Sequence, residues 1–166
     1  MSSDAKSFLT SRAPERPAAS TLLVATLTSI AALSALVALG VLSGHLLLIP
    51  PMAASMALIA GAPSLPLSQP RHVIGGQVIS AIVGVVVGLA NHSLWAAAIA
   101  GGLALGAMLL TRTSHSPAAA TAVIGAMLTE GQISFVVCAG LAAGVLVLFG
   151  LIRSTLKRTA YPAYWW

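Results

Sequence analysis

From Thr21 to Leu42 the chain runs for 22 residues without a charged side chain. A helix of that length rises about 33 Å, enough to cross the ~30 Å hydrocarbon core of a bilayer. Three further apolar runs without Asp, Glu, Lys or Arg follow: His72 to Ala90, Leu94 to Leu110 and Ile133 to Ile152. Of the 166 residues, 58% are hydrophobic and only 7% charged, where a soluble domain has roughly a quarter charged. An integral membrane protein in contact with the lipid bilayer is the expectation. The formal charge of +5 would suggest a nucleic-acid partner in a soluble chain. Here Lys and Arg lie in the tails and at loop edges, where they set orientation in the membrane, so no nucleic acid is expected. The lone Cys138 excludes a disulfide framework. The first run lacks a small-residue cleavage site and reads as a retained helix.

Two apolar stretches between these runs are interrupted. Leu46 to Ala62 contains Pro50-Pro51, and Ser114 to Leu128 contains Pro117. Proline inside a helix removes a hydrogen bond and clashes with the preceding turn, so neither stretch is one regular helix. The two align: Pro51 on Pro117, Ala53-Ala54 on Ala119-Ala120, and Ser55 on Thr121. Span, broken segment, span thus occurs twice, with a period of about 66 residues. The expected fold is an all-α polytopic membrane protein of two inverted repeats, about 21–90 and about 94–156. They form a transmembrane domain over 21–158, after a mobile tail (1–20) and before an aromatic tail (159–166). Gly61 to Arg71, with Pro63, Pro66 and Pro70, reads as a loop. Gly84-x-x-x-Gly88, Gly102-x-x-x-Gly106 and Gly140-x-x-x-Gly144 place small residues where helices can approach closely.

Two topologies compete. If the broken segments are re-entrant loops, there are four spans. If each crosses fully there are six, and Arg71, Arg112 and both basic tails share a side opposite Glu130, with both termini cytoplasmic as the positive-inside rule asks. Extended backbone before each proline plus helix after it gives roughly 33 Å and 31 Å, so the lengths permit six.

In such an arrangement the half-helices starting at Pro51 and Pro117 approach each other at mid-depth. A helix start has unpaired N–H groups and a partial positive charge, so two starts facing one cavity make an anion site without a formal charge. The expected donors are the amides of Ala53, Ala54, Ala119 and Ala120. His115, just before the second start, is placed to donate to an anion or carry a proton, or else is a capping residue. Ser116 is expected to cap its helix through the N–H of Ala118 or Ala119. Ser55 and Thr121, a turn inside, are expected to bond back to carbonyls. Gln77 needs a hydrogen-bond partner within an apolar span and is a candidate for lining the cavity. Arg71 and Arg112 mark the charged edge and stand at the mouth. The alternative is that the prolines only kink ordinary helices. No metal-ligand spacing, Gly-rich phosphate loop or nucleophile–base pair occurs, so neither an enzyme nor a cofactor is expected.

The motif around His115, Pro50-Pro51-Met52-Ala53-Ala54-Ser55, and above all Gln69-Pro70-Arg71-His72-Val73-Ile74-Gly75-Gly76 resemble the HPP family of integral membrane proteins. The likeness covers roughly Thr21 to Arg153. Members resemble nitrite transporters of chloroplasts and cyanobacteria, which implies a small monovalent anion as substrate. The family's His-Pro-Pro reads His115-Ser116-Pro117 here, a departure confined to the second half. The expectation is transport of a small anion such as nitrite across a bacterial inner membrane. A non-transporting scaffold or accessory subunit and a neutral-solute pore are the alternatives, and the glycine faces allow a homo-oligomer.

Overall fold

The structure, a computed structural model, describes residues 15–157 and 160–166. The expected N-terminal tail lies mostly outside the described residues. Among those described the chain is all-helical: α1 (Ala19–Ser43), α2 (Pro50–Gly61), α3 (Pro70–Gly88), α4 (Leu94–Thr111), α5 (Ser116–Ala126) and α6 (Gln132–Lys157), with a 3-10 turn at Pro66–Ser68. Of these, α1, α3, α4 and α6 are long and apolar enough to span a membrane.

The helix ends follow local chemistry. Gly44 closes α1 in the left-handed conformation, with φ 71°, the geometry glycine adopts without steric cost. Ser93 caps α4 by accepting the Ala96 N–H at 3.2 Å, so Ser93→Ala should cost about 1 kcal/mol, read as a lowered unfolding midpoint in detergent. Two boundaries differ from expectation. Pro70 and Arg71 begin α3 instead of ending a loop, because proline is pre-organised for the first helical position. The last helix continues past Ile152 and carries Arg153 within it.

Both broken segments run the full height of the bundle. The second leaves Arg112, whose carbonyl accepts from Arg71 Nε at the start of α3. It then passes Gly76 at His115, Gly84 at Ala122 and Gly88 at Ala126. There His92, past the end of α3, has Nδ1 3.1 Å from the Ala126 carbonyl. The first segment starts at His45, which shares a pit with Glu130 and Ser134 at the start of α6, and ends with Ile59 against Gly150. A re-entrant loop would return to the side it left, and neither segment does. Contacts also fix direction: α5 runs parallel to α3, α2 parallel to α6. Val78 faces Gly140 while Ala81 and Phe135 both face Gly125, so α3 and α6 are antiparallel. The two half-helices therefore point in opposite directions.

The packing is that of helices in lipid. Apolar side chains such as Leu42, Leu110 and Ile133 remain outward, since lipid tails offer them as favourable a surrounding as another helix. Association relies instead on small residues. Ala97, Ala100, Ala104, Ala122 and Ala126 form one buried cluster; Met52, Met56, Ile59 and Leu146 anchor the other. Gly84 and Gly88 lie against the backbone of α5, whereas Gly102 and Gly106 face open space. Among the described residues the expected close contact at Gly102 is thus absent.

Candidate functional site

Ser55 is the sixth residue of α2 and Thr121 the sixth of α5. That matched position turns both hydroxyls into the interior, where Gln77 of α3 joins them. Gln77 Nε2 donates to Ser55 Oγ at 2.9 Å, and Thr121 Oγ1 donates to Gln77 Oε1 at 2.5 Å. His115 enters from the extended leg before α5. Its Nδ1 lies 2.7 Å from the Leu67 carbonyl, and a carbonyl only accepts, so Nδ1 carries a hydrogen. Its Nε2 lies 2.8 Å from Ser55 Oγ, which in turn is 2.8 Å from the Pro51 carbonyl. All four side chains are fully buried. An unpaired polar group at this depth is costly, so a closed chain of short bonds is how these residues are tolerated.

Gly76 makes room for the leg. A Cβ there would stand 2.7 Å from His115 Cβ and 2.8 Å from the Thr113 carbonyl, so only glycine lets His115 sit this close to α3. One turn beyond Gln77, Ser80 is buried with its hydroxyl unpartnered.

The site differs from the expected one in its donors. Helix α2 begins at Pro50 and α5 at Ser116, one residue earlier than expected. A helix starting there pairs the amides of Ala53 and Ala54 with the carbonyls of Ile49 and Pro50, and those of Ala119 and Ala120 with His115 and Ser116. None of the four is a free donor, and Ala53, Ala54 and Ala120 face outward. Ser116 makes no cap: it is exposed at the first helical position, and the Ala118 N–H bonds the His115 carbonyl at 2.9 Å. Pro51 is buried and serves through its carbonyl; Pro117 is half-buried. Ser55 bonds back as expected, but Thr121 reaches Gln77 instead. The two starts thus meet through side chains and not through amides.

Hydrophobic layers seal the cluster from the Glu130 side. There a pit of about 180 Å³ has Ile49, Ile124 and Phe135 among its walls. Ile49 immediately precedes α2, and Ile124 is one turn past Thr121. At the other end a pit of about 380 Å³ is lined by Pro66, Arg71, His72, Arg112, Tyr164 and Trp166. Arg71 is tied down: Nε and Nη2 donate to the Arg112 and Thr111 carbonyls at 3.1 and 3.2 Å, and Trp166 stacks 4.4 Å from the guanidinium. Arg112 is exposed in the left-handed conformation at φ 59°, uncommon for a residue other than glycine.

Residues 160–166 are not a free interfacial tail. Tyr161 packs against Gly150, and burial pushes its phenol above the usual range. The Ala163 N–H donates to Gln69 Oε1 at 2.8 Å, while Tyr164 Oη lies 3.2 Å from His72 Nε2. Gln69, fully buried, also donates to the Pro63 and Leu65 carbonyls. Its organising role had no local signal in the sequence.

Two broken half-helices set among four long apolar helices, joined by a buried polar cluster, define a polytopic membrane protein. The transmembrane region of the HPP family matches residues 14–162, and the chain belongs to that family. Two transmembrane proteins of Dictyostelium discoideum are each 34% identical to it, over 124 and 130 residues. The matches cover 69% and 72% of this chain but 40% and 45% of those proteins, so the chain spans less than half their length. No solved structure matches it.

Proposed function

We propose that this protein moves a small monovalent anion, nitrite foremost, across a bacterial inner membrane with both termini cytoplasmic. The observation that carries this reading is the buried chain Leu67–His115–Ser55–Gln77–Thr121, which joins the two broken helices between a pit at either end. In the proposed working form the halves act as inverted repeats. His115 and the two hydroxyls donate to the anion when the Ile49–Ile124 layer or the Arg71 end opens, and Arg71 and Arg112 draw anions to the mouth. The reading assigns no catalysis, cofactor or metal to the protein.

Flux of nitrite into sealed liposomes holding the purified protein tests it. Wild type should exceed empty liposomes, and His115→Ala should lose roughly tenfold or more, the worth of one hydrogen bond to a charged group. One feature favours a scaffold instead: the cluster is closed and bonded throughout, as a packing staple would be. Flux no greater than that of empty liposomes, from folded protein, would favour the scaffold over anion transport.

A further inference from the structure

Ser55 Oγ has three polar neighbours and one hydrogen. Gln77 Nε2 donates to it, while the Pro51 carbonyl and His115 Nε2 flank it at 2.8 Å each. With His115 neutral, the Leu67 carbonyl holds the ring hydrogen on Nδ1, and Nε2 is an acceptor. The Ser55 hydrogen then serves either Nε2 or the Pro51 carbonyl, never both. With a second proton on Nε2, the count closes. Nδ1 donates to Leu67, Nε2 donates to Ser55, and Ser55 accepts two bonds and donates its own to Pro51. A proton on Nε2 is accommodated by turning one hydroxyl, without moving a heavy atom.

Among the described residues the site has no counter-charge. The sequence holds three acidic residues, Asp4, Glu15 and Glu130, and Glu130 lies exposed in the turn leading into α6, at the opposite end from Arg71. Against His115, α2 presents Ser55, α3 presents Gln77 with His72 and Arg71 further along, and the loop presents Leu67. Helix α4 presents Met108 with Arg112 beyond its end, and the aromatic segment presents Tyr164 on His72. On α6, Arg153 is the buried ionisable group. Every one of these groups is neutral or cationic. A buried imidazolium without a partner is costly, and a buried anion is equally so.

We infer that His115 binds a proton together with the transported anion, so that the pair crosses as an electroneutral unit, one proton per anion. The inference rests on the anion-transport reading and adds the coupled ion. The proton enters at Nε2, stays while the anion neutralises the ring, and leaves with it on the far side. Coupling follows from linkage: each ligand strengthens binding of the other by the same factor.

The test uses full-length wild-type protein in liposomes near neutral pH, with empty liposomes subtracted. An inward nitrite gradient should acidify the lumen with one proton per nitrite. The flux should not respond to a potassium–valinomycin potential, and it should rise as external pH falls. His115→Gln, which keeps a hydrogen-bonding side chain but takes no proton, should abolish the acidification. Nitrite flux that follows the potential, or proceeds without protons, overturns the inference and leaves anion transport standing. Unaltered proton stoichiometry in His115→Gln also overturns it. Absence of any protein-dependent nitrite flux removes the transport reading itself.

Discussion

Replacing Gly84 with alanine should cost the protein a large part of its stability, while the same change at Gly102 should not. An alanine Cβ at 84 would stand 2.8 Å from Ala122 Cα and 2.9 Å from its carbonyl carbon, where carbon atoms in contact prefer about 3.5–4.0 Å. Both partners are backbone, so no side chain can turn aside, and α3 and α5 must separate. Overpacking typically costs about 1–3 kcal/mol. This contact belongs at the upper end, because Thr121 next to Ala122 would also be drawn from Gln77. At Gly102 a Cβ meets nothing within 4 Å, and alanine relieves the helix of glycine's penalty of about 0.5–1 kcal/mol. Denaturation of the purified variants in mixed micelles separates them. Equal midpoints for the two would show that the α3–α5 contact is not what holds the fold.

The glycine pair illustrates what the sequence discloses. Gly84-x-x-x-Gly88 and Gly102-x-x-x-Gly106 read identically, since each puts two small residues on one face. Which face finds a partner depends on where α5 lies, and that is a property of the whole bundle. The span, broken segment, span order was legible because charge-free runs and prolines act locally. The height of the broken segments was legible too, because residue counts at known rise fix a length.

The donor set was misread for a local reason. Moving the helix start from Pro51 to Pro50 puts proline at the first two positions, which have no N–H to offer, and sends the amides of Ala53 and Ala54 into the helical ladder. At 100° per residue, a buried Ser55 turns Ala54 and Ala53 away from the interior. The same rotation separates Thr121 from Ala120. Gln69 was beyond reach for another reason: its partner is the amide of residue 163, 94 positions away, and no pattern within a loop foretells that. Gln77 was the more legible case, since an amide in an apolar span must find partners, although the sequence could not say which.

Gln77→Leu should nearly abolish transport at a modest cost in stability, and the ratio of the two effects decides what the cluster is for. Leucine fills much of the same space, so little cavity opens. Thr121 loses its acceptor but can turn to the carbonyl four residues back, and Ser55 keeps Pro51 and His115. Two interhelical bonds are removed, and in membrane proteins such bonds average about 0.6 kcal/mol with a maximum near 1.7, so the stability should fall by about 1–3 kcal/mol. That loss leaves most of the protein folded under assay conditions. Flux should nonetheless drop by roughly tenfold or more, because Gln77 supplies the link through which Ser55 of one half and Thr121 of the other act on one ligand, and one lost bond to a charged group is worth that factor. A staple behaves differently: flux would then follow the folded fraction, and a variant still folded would transport at nearly the wild-type rate. Measuring flux per folded molecule across Gln77→Leu, Ser55→Ala and Thr121→Val gives the contrast. If all three keep wild-type flux while their midpoints fall, the cluster is a packing device and the anion path lies elsewhere.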